Sequence, residues 1–234
     1  MIYTISDLHG YPVEKLKQLL KLAGFSGDDY LFILGDVIDR NGDGGIGILR
    51  WLLTVTNATL LLGNHEAMLL TCEFVIDEIS EETLSNLTRE KLEMLSNYIA
   101  NGGNVTLREL RKLPRETQQD IFEYLKDCPL YETVTAGGKD YILVHAGLDN
   151  FRKDRKLSDY SVDELIWTWP ELTDEYFDDV HTVFGHTPTR SLDPRCNGGI
   201  LRTRTWTDID VGAAYGNEPV LFRLDDGETF QLKK

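Results

Sequence analysis

The sequence predicts an α/β fold, and three observations carry that prediction. Short apolar runs such as Tyr30-Leu31-Phe32-Ile33-Leu34 end in glycine and then in charged side chains, here Gly35-Asp36-Val37-Ile38-Asp39-Arg40. Buried strands of α/β proteins empty into sites at their carboxyl edge in this way. The opening alternates strand, helix and strand, and the middle of the chain, residues 67–126, turns helical. With no linker-like composition at either flank, that stretch reads as a helical cap inserted into a single domain spanning residues 1–234.

Taken in order, Ile2 to Ile5 reads as a strand leaving through Asp7-Leu8-His9-Gly10. Pro12 sits where a first helical residue belongs, and Leu16, Leu19, Leu20 and Ala23 recur at helical spacing until Gly24 stops them. The strand Tyr30 to Leu34 follows, then a Gly-rich loop over 41–45, a helix carrying Ile46, Leu49, Leu52 and Leu53, and the run Thr59 to Leu62, which ends in Gly63-Asn64-His65-Glu66. In the cap, Leu84, Leu87, Leu92, Leu95 and Ile99 form a stripe read as core packing, and Ile121, Phe122 and Leu125 a shorter one. Asn101-Gly102-Gly103-Asn104 interrupts them as a helix-terminating turn. Leu130–Thr135 and Tyr141–Val144 form a hairpin whose second strand ends in His145-Ala146-Gly147, and Val183-Phe184 ends in Gly185-His186-Thr187-Pro188. The tail returns to strands: Ile209 to Gly212, then Val220–Leu224 and Thr229–Leu232 joined through Asp225-Asp226-Gly227.

A formal net charge of −15 and a pI near 4.7 argue against nucleic acid or an anionic membrane surface as partner, since both require basic footprints. Met1 to Ile5 runs straight into a strand without the features of a signal peptide, and no apolar segment approaches bilayer-spanning length. Cys72, Cys128 and Cys196 are scattered and odd in number, so they suggest neither a disulfide framework nor a zinc knuckle. A reducing cytoplasm is the expected location.

Five strand ends therefore carry metal-competent residues: Asp7 with His9, Asp36 with Asp39, Asn64 with His65, His145, and His186. Asp7 and His9 lie two apart, so an extended exit would point both to one side, where they could grip one ion. Mixed Asp, His and Asn ligands suit manganese, iron or zinc better than calcium, which prefers oxygen throughout. One carboxylate shared by two ions would hold them about 3.5–4 Å apart, the spacing that clamps an in-line phosphoryl displacement. His181 lacks the strand-end glycine and reads as structural.

The ordered motifs DLHG, GDVIDR, GNHE, HAG and GHTP, spanning Asp7 to His186, resemble those of PPP-type serine/threonine phosphatases of the calcineurin-like metallophosphoesterase superfamily, the small bacterial and phage members above all. The resemblance implies a β-sandwich flanked by helices and two divalent cations, manganese first among the candidates. Asp7 and His9 would hold the first cation, Asp36 would bridge, and Asn64, His145 and His186 would hold the second. A hydroxide bridging the cations would attack phosphorus in line. His65 would protonate the leaving group with Asp39 orienting its ring, Arg40 would bind two phosphate oxygens, Asn64 would also donate to phosphate, and Glu66 would support the ligands from behind. Tyr215, in the segment Ile209 to Gly216, would cover the pocket and touch substrate, and Asn101-Gly102-Gly103 would lie near the site.

Two departures stand out. Asn41 replaces the glycine that usually follows the Asp-Arg pair, a residue that tolerates left-handed backbone less freely. Trp169 stands where bacterial members tend to carry a second phosphate-binding arginine, so that Arg202 or Arg204 would have to replace it, although both read more naturally as an exposed strand edge. The expected activity is hydrolysis of phosphoserine or phosphothreonine, with phosphotyrosine as an extension, in a phosphoprotein or phosphorylated small molecule. The alternatives are hydrolysis of a dinucleoside polyphosphate such as diadenosine tetraphosphate, and a metal-binding pseudo-phosphatase acting as a binding module.

Overall fold

A computed structural model describes residues 1–78 and 80–233. Strands β1 (Ile2–Ile5), β2 (Tyr30–Ile33) and β3 (Ala58–Leu60) lie parallel, joined by α1 (Val13–Leu22) and α2 (Ile46–Leu52). A second sheet holds β4 (Tyr131–Ala136), β5 (Lys139–Val144), β6 (His181–Phe184), β7 (Leu201–Arg202) and β8 (Trp206–Asp208) in the order β4-β5-β6-β8-β7, with β5, β6 and β8 parallel. The hairpin of β9 (Leu221–Arg223) and β10 (Thr229–Phe230) returns to the first sheet and completes the order β10-β9-β1-β2-β3.

The period-two alternation of the strands sorts their side chains into layers. Phe32, Leu34, Leu61, Phe222 and Leu224 from the first sheet meet Tyr141, Leu143, Val183 and Ile209 from the second. The opposite face of the first sheet, carrying Tyr3, Ile5, Leu31, Ile33 and Leu60, packs on Leu16, Leu19, Leu49, Leu69, Phe122 and Leu125 of the helices. On the far side of the second sheet Val144, Phe184 and Trp206 are covered by Leu148, Leu165 and Tyr176. Each fully buried aliphatic side chain among these contributes about 1.5–3 kcal/mol, which is why both sheets hold their register. The result is the α/β sandwich of two mixed sheets with flanking helices that the motifs imply.

Several expectations need correction. The helical region begins at Asn64, not Ala67: α3 (Asn64–Thr71) starts directly behind Gly63, which sets His65 and Glu66 in its first turn. It is followed by α4 (Glu81–Ser85), α5 (Arg89–Tyr98), α6 (Asn104–Leu110) and α7 (Arg115–Lys126). The proposed leucine stripe is largely not core. Leu87, Leu92 and Ile99 are exposed, only Leu95 is half-buried, and the side chain of Leu84 lies outside the described residues. The reason is a rotated face: α5 turns Lys91, Leu95 and Tyr98 inward, because the Tyr98 hydroxyl is drawn to Asp39. Pro12 is the residue before α1 and not its first turn. Residues 209–212 are loop, since Asp210 folds back to accept the Gly212 N–H in place of a ladder bond.

Candidate active site

All five predicted strand ends converge at the carboxyl edges of the parallel strands. To aim side chains back over the strand ends, the backbone turns left-handed at Asp7 (φ 52), His9 (φ 39), Asp36 (φ 54), Asp39 (φ 75), Arg40 (φ 65) and His186 (φ 69). Left-handed backbone costs a non-glycine residue about 1–2 kcal/mol, so the surrounding hydrogen bonds must hold it. The extended exit expected for Asp7 and His9 is thus wrong, and their side chains are placed by turn geometry. Asn41, by contrast, is not left-handed: that conformation falls one and two residues earlier, and the missing glycine costs the loop nothing.

Glu66 is the main fastener. Its buried carboxylate accepts the N–H groups of Asp36 (2.8 Å), Val37 (2.9 Å), Ile38 (3.3 Å) and Gly63 (3.2 Å). Burial and the Asp36 charge push its pKa up to about 7, against the pull of those donors. We expect Glu66→Ala to lower unfolding free energy by about 2–4 kcal/mol, because it leaves buried N–H groups unpaired. Urea denaturation measures it, and a loss under about 1 kcal/mol would contradict this role. Gly35 (φ +89) has no substitute, since a Cβ there would lie 2.5 Å from His145 Nδ1.

Around Asp36 stand two groups of potential ligands, His9 with Asp36 and His65, and Asp36 with His145 and His186, whose donor atoms lie within 4.8 Å of one another in each. Asp36 belongs to both: its Oδ2 is 3.5 Å from His9 Nε2 and its Oδ1 is 3.4 Å from His145 Nε2. Burial pushes its carboxyl up, but the histidines ranged about it outweigh burial and hold it well below the usual carboxylate range. Asn64 Oδ1 lies 3.0 Å from both His145 Nε2 and His186 Nδ1. Burial holds His9 and His186 down to about 3 and lowers His145, so these rings are neutral, the ligating form.

Asp7 lies beside these groups and in neither of them. Its Oδ2 accepts from the Ser6 hydroxyl and from the His186 N–H, and burial together with Asp210 and Asp36 raises its pKa well above the ordinary value. Asp210 was not among the sequence candidates, although Ile209 and Gly212 around it repeat the signal of an apolar strand end followed by an acid. Three carboxylates, Asp7, Asp36 and Asp210, thus sit at 1–4% exposure among neutral imidazoles. Buried acids cost several kcal/mol unless paired, and this donor set fits divalent cations.

His65 forms a separate unit. Its Nδ1 is 2.6 Å from Asp39 Oδ2, while Asp39 Oδ1 accepts from the hydroxyls of Tyr98 (2.6 Å) and Thr106 (2.5 Å). Burial alone would lower the His65 pKa, but Asp36 and Asp39 outweigh it and raise it. Tyr98 and Thr106 escaped sequence reasoning because they come from helices more than fifty residues away. Between them lies Asn101-Gly102-Gly103, the expected break between two helices, where Gly102 at φ 104 kinks the chain and its carbonyl accepts the Arg40 N–H at 3.2 Å.

Arg40 Nη2 lies 3.0 Å from His65 Nε2, and its guanidinium carbon is 5.9 Å from the Tyr215 ring. Across the centre Trp169 Nε1 donates to His186 Nε2 at 3.2 Å. Arg202 binds the Gly227 carbonyl and Arg204 binds Glu175 and Asp178, so both are engaged elsewhere. His181 bonds Thr207. Among the described residues no helix is long and apolar enough to cross a membrane.

Known proteins resemble this chain in sequence and in fold. The calcineurin-like phosphoesterase family matches residues 1–207. A symmetrical bis(5'-nucleosyl)-tetraphosphatase from Acidovorax sp. (strain JS42) is 26% identical over 63% of this chain and 44% of its own. The chain therefore spans less than half the length of that relative. Serine/threonine-protein phosphatase 1 of Salmonella typhimurium is 24% identical over 95% of this chain and 91% of its own. Among solved structures, one provisionally assigned as a diadenosine tetraphosphatase superimposes with a TM-score of 0.65 at 19% identity, covering 99% of this chain and 92% of its own. A Saccharomyces cerevisiae protein serine/threonine phosphatase gives 0.58 at 16% identity, covering 100% and 80%. With residues 1–207 of 234 inside the family match, the chain belongs to the calcineurin-like phosphoesterase family.

Proposed function

We propose that this metal-dependent phosphoesterase hydrolyses a dinucleoside polyphosphate. The observation that carries this reading is exposed aromatic rings on two sides of the centre, Trp169 at 61% and Trp167 at 43% exposure against His186 and Tyr215 at 66% beside Arg40. Large aromatic rings left in water beside a phosphate site are suited to nucleobases, whose flat faces stack on them. Aromatic platforms on both sides of the centre, with an arginine beside one of them, match a ligand with a nucleoside at each end of a phosphate chain. The tetraphosphatase relatives support the same substrate class.

In this reading the chain is one domain, and the helices of 67–126 form the wall that carries Tyr98 and Thr106 behind Asp39. Asp7 and His9 would hold one cation, Asn64, His145 and His186 the other, and Asp36 both, with manganese the first candidate. Bound there, the cations supply Lewis-acid polarisation of a phosphoryl group and lower the pKa of water. Arg40 grips two phosphate oxygens through its planar fork. Drawn to the phosphate, it leaves His65 Nε2, which is then free to carry a proton to the departing oxygen while Asp39 holds Nδ1–H. Tyr98 and Thr106 fix the Asp39 carboxylate and so the ring's orientation.

Phosphoserine or phosphothreonine hydrolysis is the second reading. It is favoured by the near full-length match to the Salmonella phosphatase and by the buried His65–Asp39 pair, which suits an alkoxide leaving group. Manganese-reconstituted protein assayed on diadenosine tetraphosphate, phosphoserine and phosphothreonine peptides and a phosphotyrosine peptide separates the two. Two stacking contacts of about 1–3 kcal/mol each predict a kcat/KM at least about 30-fold higher for the dinucleotide. The reverse ratio would overturn the proposal in favour of a protein phosphatase, and binding without turnover of any ester would mark a binding module.

A further inference from the structure

Each histidine of the centre has one nitrogen facing the ligand cluster and one facing away. For His9 and His145 the outward Nδ1 meets a carbonyl, Ile38 O at 2.9 Å and Leu34 O at 2.6 Å. A carbonyl only accepts, so the proton sits on Nδ1 and the inward Nε2 is bare and ready for a cation. His186 is wired the opposite way. Its inward nitrogen is Nδ1, 3.0 Å from Asn64 Oδ1, and its outward Nε2 receives the indole N–H of Trp169 at 3.2 Å. Indole is a donor only, so Nε2 must be bare and the proton must sit on Nδ1, between the ring and the Asn64 oxygen. A cation on Nδ1 needs the other tautomer, with N–H at Nε2 pointing straight at the Trp169 N–H.

We propose that Trp169 is a latch on the second cation site: its indole N–H and a cation cannot hold His186 together, and loading the site releases the ring into the cleft. The inference rests on the reading of His186 as a ligand through Nδ1. The ring is free to move, because it is 61% exposed and is held at this site by one hydrogen bond and a perpendicular contact at 6.3 Å between ring centroids. Neutral His186 changes no charge in the exchange; its proton passes from Nδ1 to Nε2. The latch ties the position of an aromatic platform for substrate to metal loading, so that Trp169 swings free only when the centre is filled.

The test is titration of the full chain, stripped with chelator, with manganese, followed by calorimetry, indole fluorescence and the ring-nitrogen shifts of His186. Trp169→Phe keeps the ring and removes the donor, and Trp169→Ala removes both. Both variants are expected to bind the weaker cation about 3- to 10-fold more tightly, the worth of one lost hydrogen bond. Manganese should shift the wild-type fluorescence, and Trp169→Phe should lose that shift. Metal-free His186 should carry its proton on Nδ1 in the wild type. Tightening in Trp169→Ala alone would show that bulk and not the donor matters, and would overturn the latch. Unchanged affinity in both variants, or Nε2–H in the metal-free wild type, would also overturn it while His186→Ala still loses one cation. Retention of both cations by His186→Ala would refute the ligand reading and the latch with it.

Discussion

Asp36→Asn is expected to strip the protein of both divalent cations, with loss of turnover following. The two carboxylate oxygens face different histidines, Oδ1 toward His145 at 3.4 Å and Oδ2 toward His9 at 3.5 Å. An amide removes the negative charge and replaces one acceptor with a donor, so at least one side loses its ligand and both lose the shared charge. Elemental analysis of the purified variant is the measurement, and one ion remaining at full occupancy would show that Asp36 is not shared. The substitution also relieves a buried charge, so the metal-free variant should fold, which circular dichroism would verify before metal is counted.

His65→Asn is expected to do the opposite, keeping both cations while turnover falls about 10²- to 10⁴-fold, the usual contribution of a positioned general acid. His65 Nδ1 is committed to Asp39 at 2.6 Å and its Nε2 to Arg40 at 3.0 Å, so the ring's bonds point to a proton relay and a phosphate-binding side chain. Yet its ring also belongs to the group of His9 and Asp36, with Nε2 3.9 Å from Asp36 Oδ2. Metal analysis alongside kinetics therefore decides between acid and ligand, and loss of one cation in proportion to activity would make His65 a ligand. A comparison of leaving groups adds a second discriminator. An alkoxide released from phosphoserine needs the proton more than a nucleoside polyphosphate does, so the variant should lose more activity on the peptide.

Most of the candidate set was legible because each member follows a short apolar run, with a glycine directly before Asp36, Asn64 and His186 and a glycine one to three residues after Asp7, His9 and His145. That signal is local in sequence and survives folding, since parallel strands place their carboxyl ends on one edge. The first helix, between Pro12 and Gly24, and the hairpin turn at Gly137-Gly138 were likewise found within a residue or two, whereas the helix behind Gly63 starts three residues before its expected position. Where periodicity had to choose a helix face it failed: Leu92 at 48% exposure and Tyr98 at zero lie on one helix, and hydrophobicity alone ranks them the wrong way. The Tyr98 hydroxyl explains the inversion, because its partner is an aspartate fifty-nine residues earlier.

The opening stretch Gly35 to Arg40 shows the division most plainly. By itself the sequence determined that two acids and an arginine follow a buried strand, that four more strand ends carry matching residues, and hence the fold class and a metal-competent edge. The resemblance already implied how the labour is split, and the tertiary structure decided what directs it: left-handed backbone at Asp36, Asp39 and Arg40 turns the first acid toward four histidines, the second toward His65, and the arginine toward Tyr215. It also brought in Asp210, Thr106 and Glu66's grip on three consecutive N–H groups, and it set Trp169 against His186. The physical reason is that residue type and spacing specify what a strand end can donate, whereas direction depends on dihedral angles and hydrogen bonds supplied by distant segments.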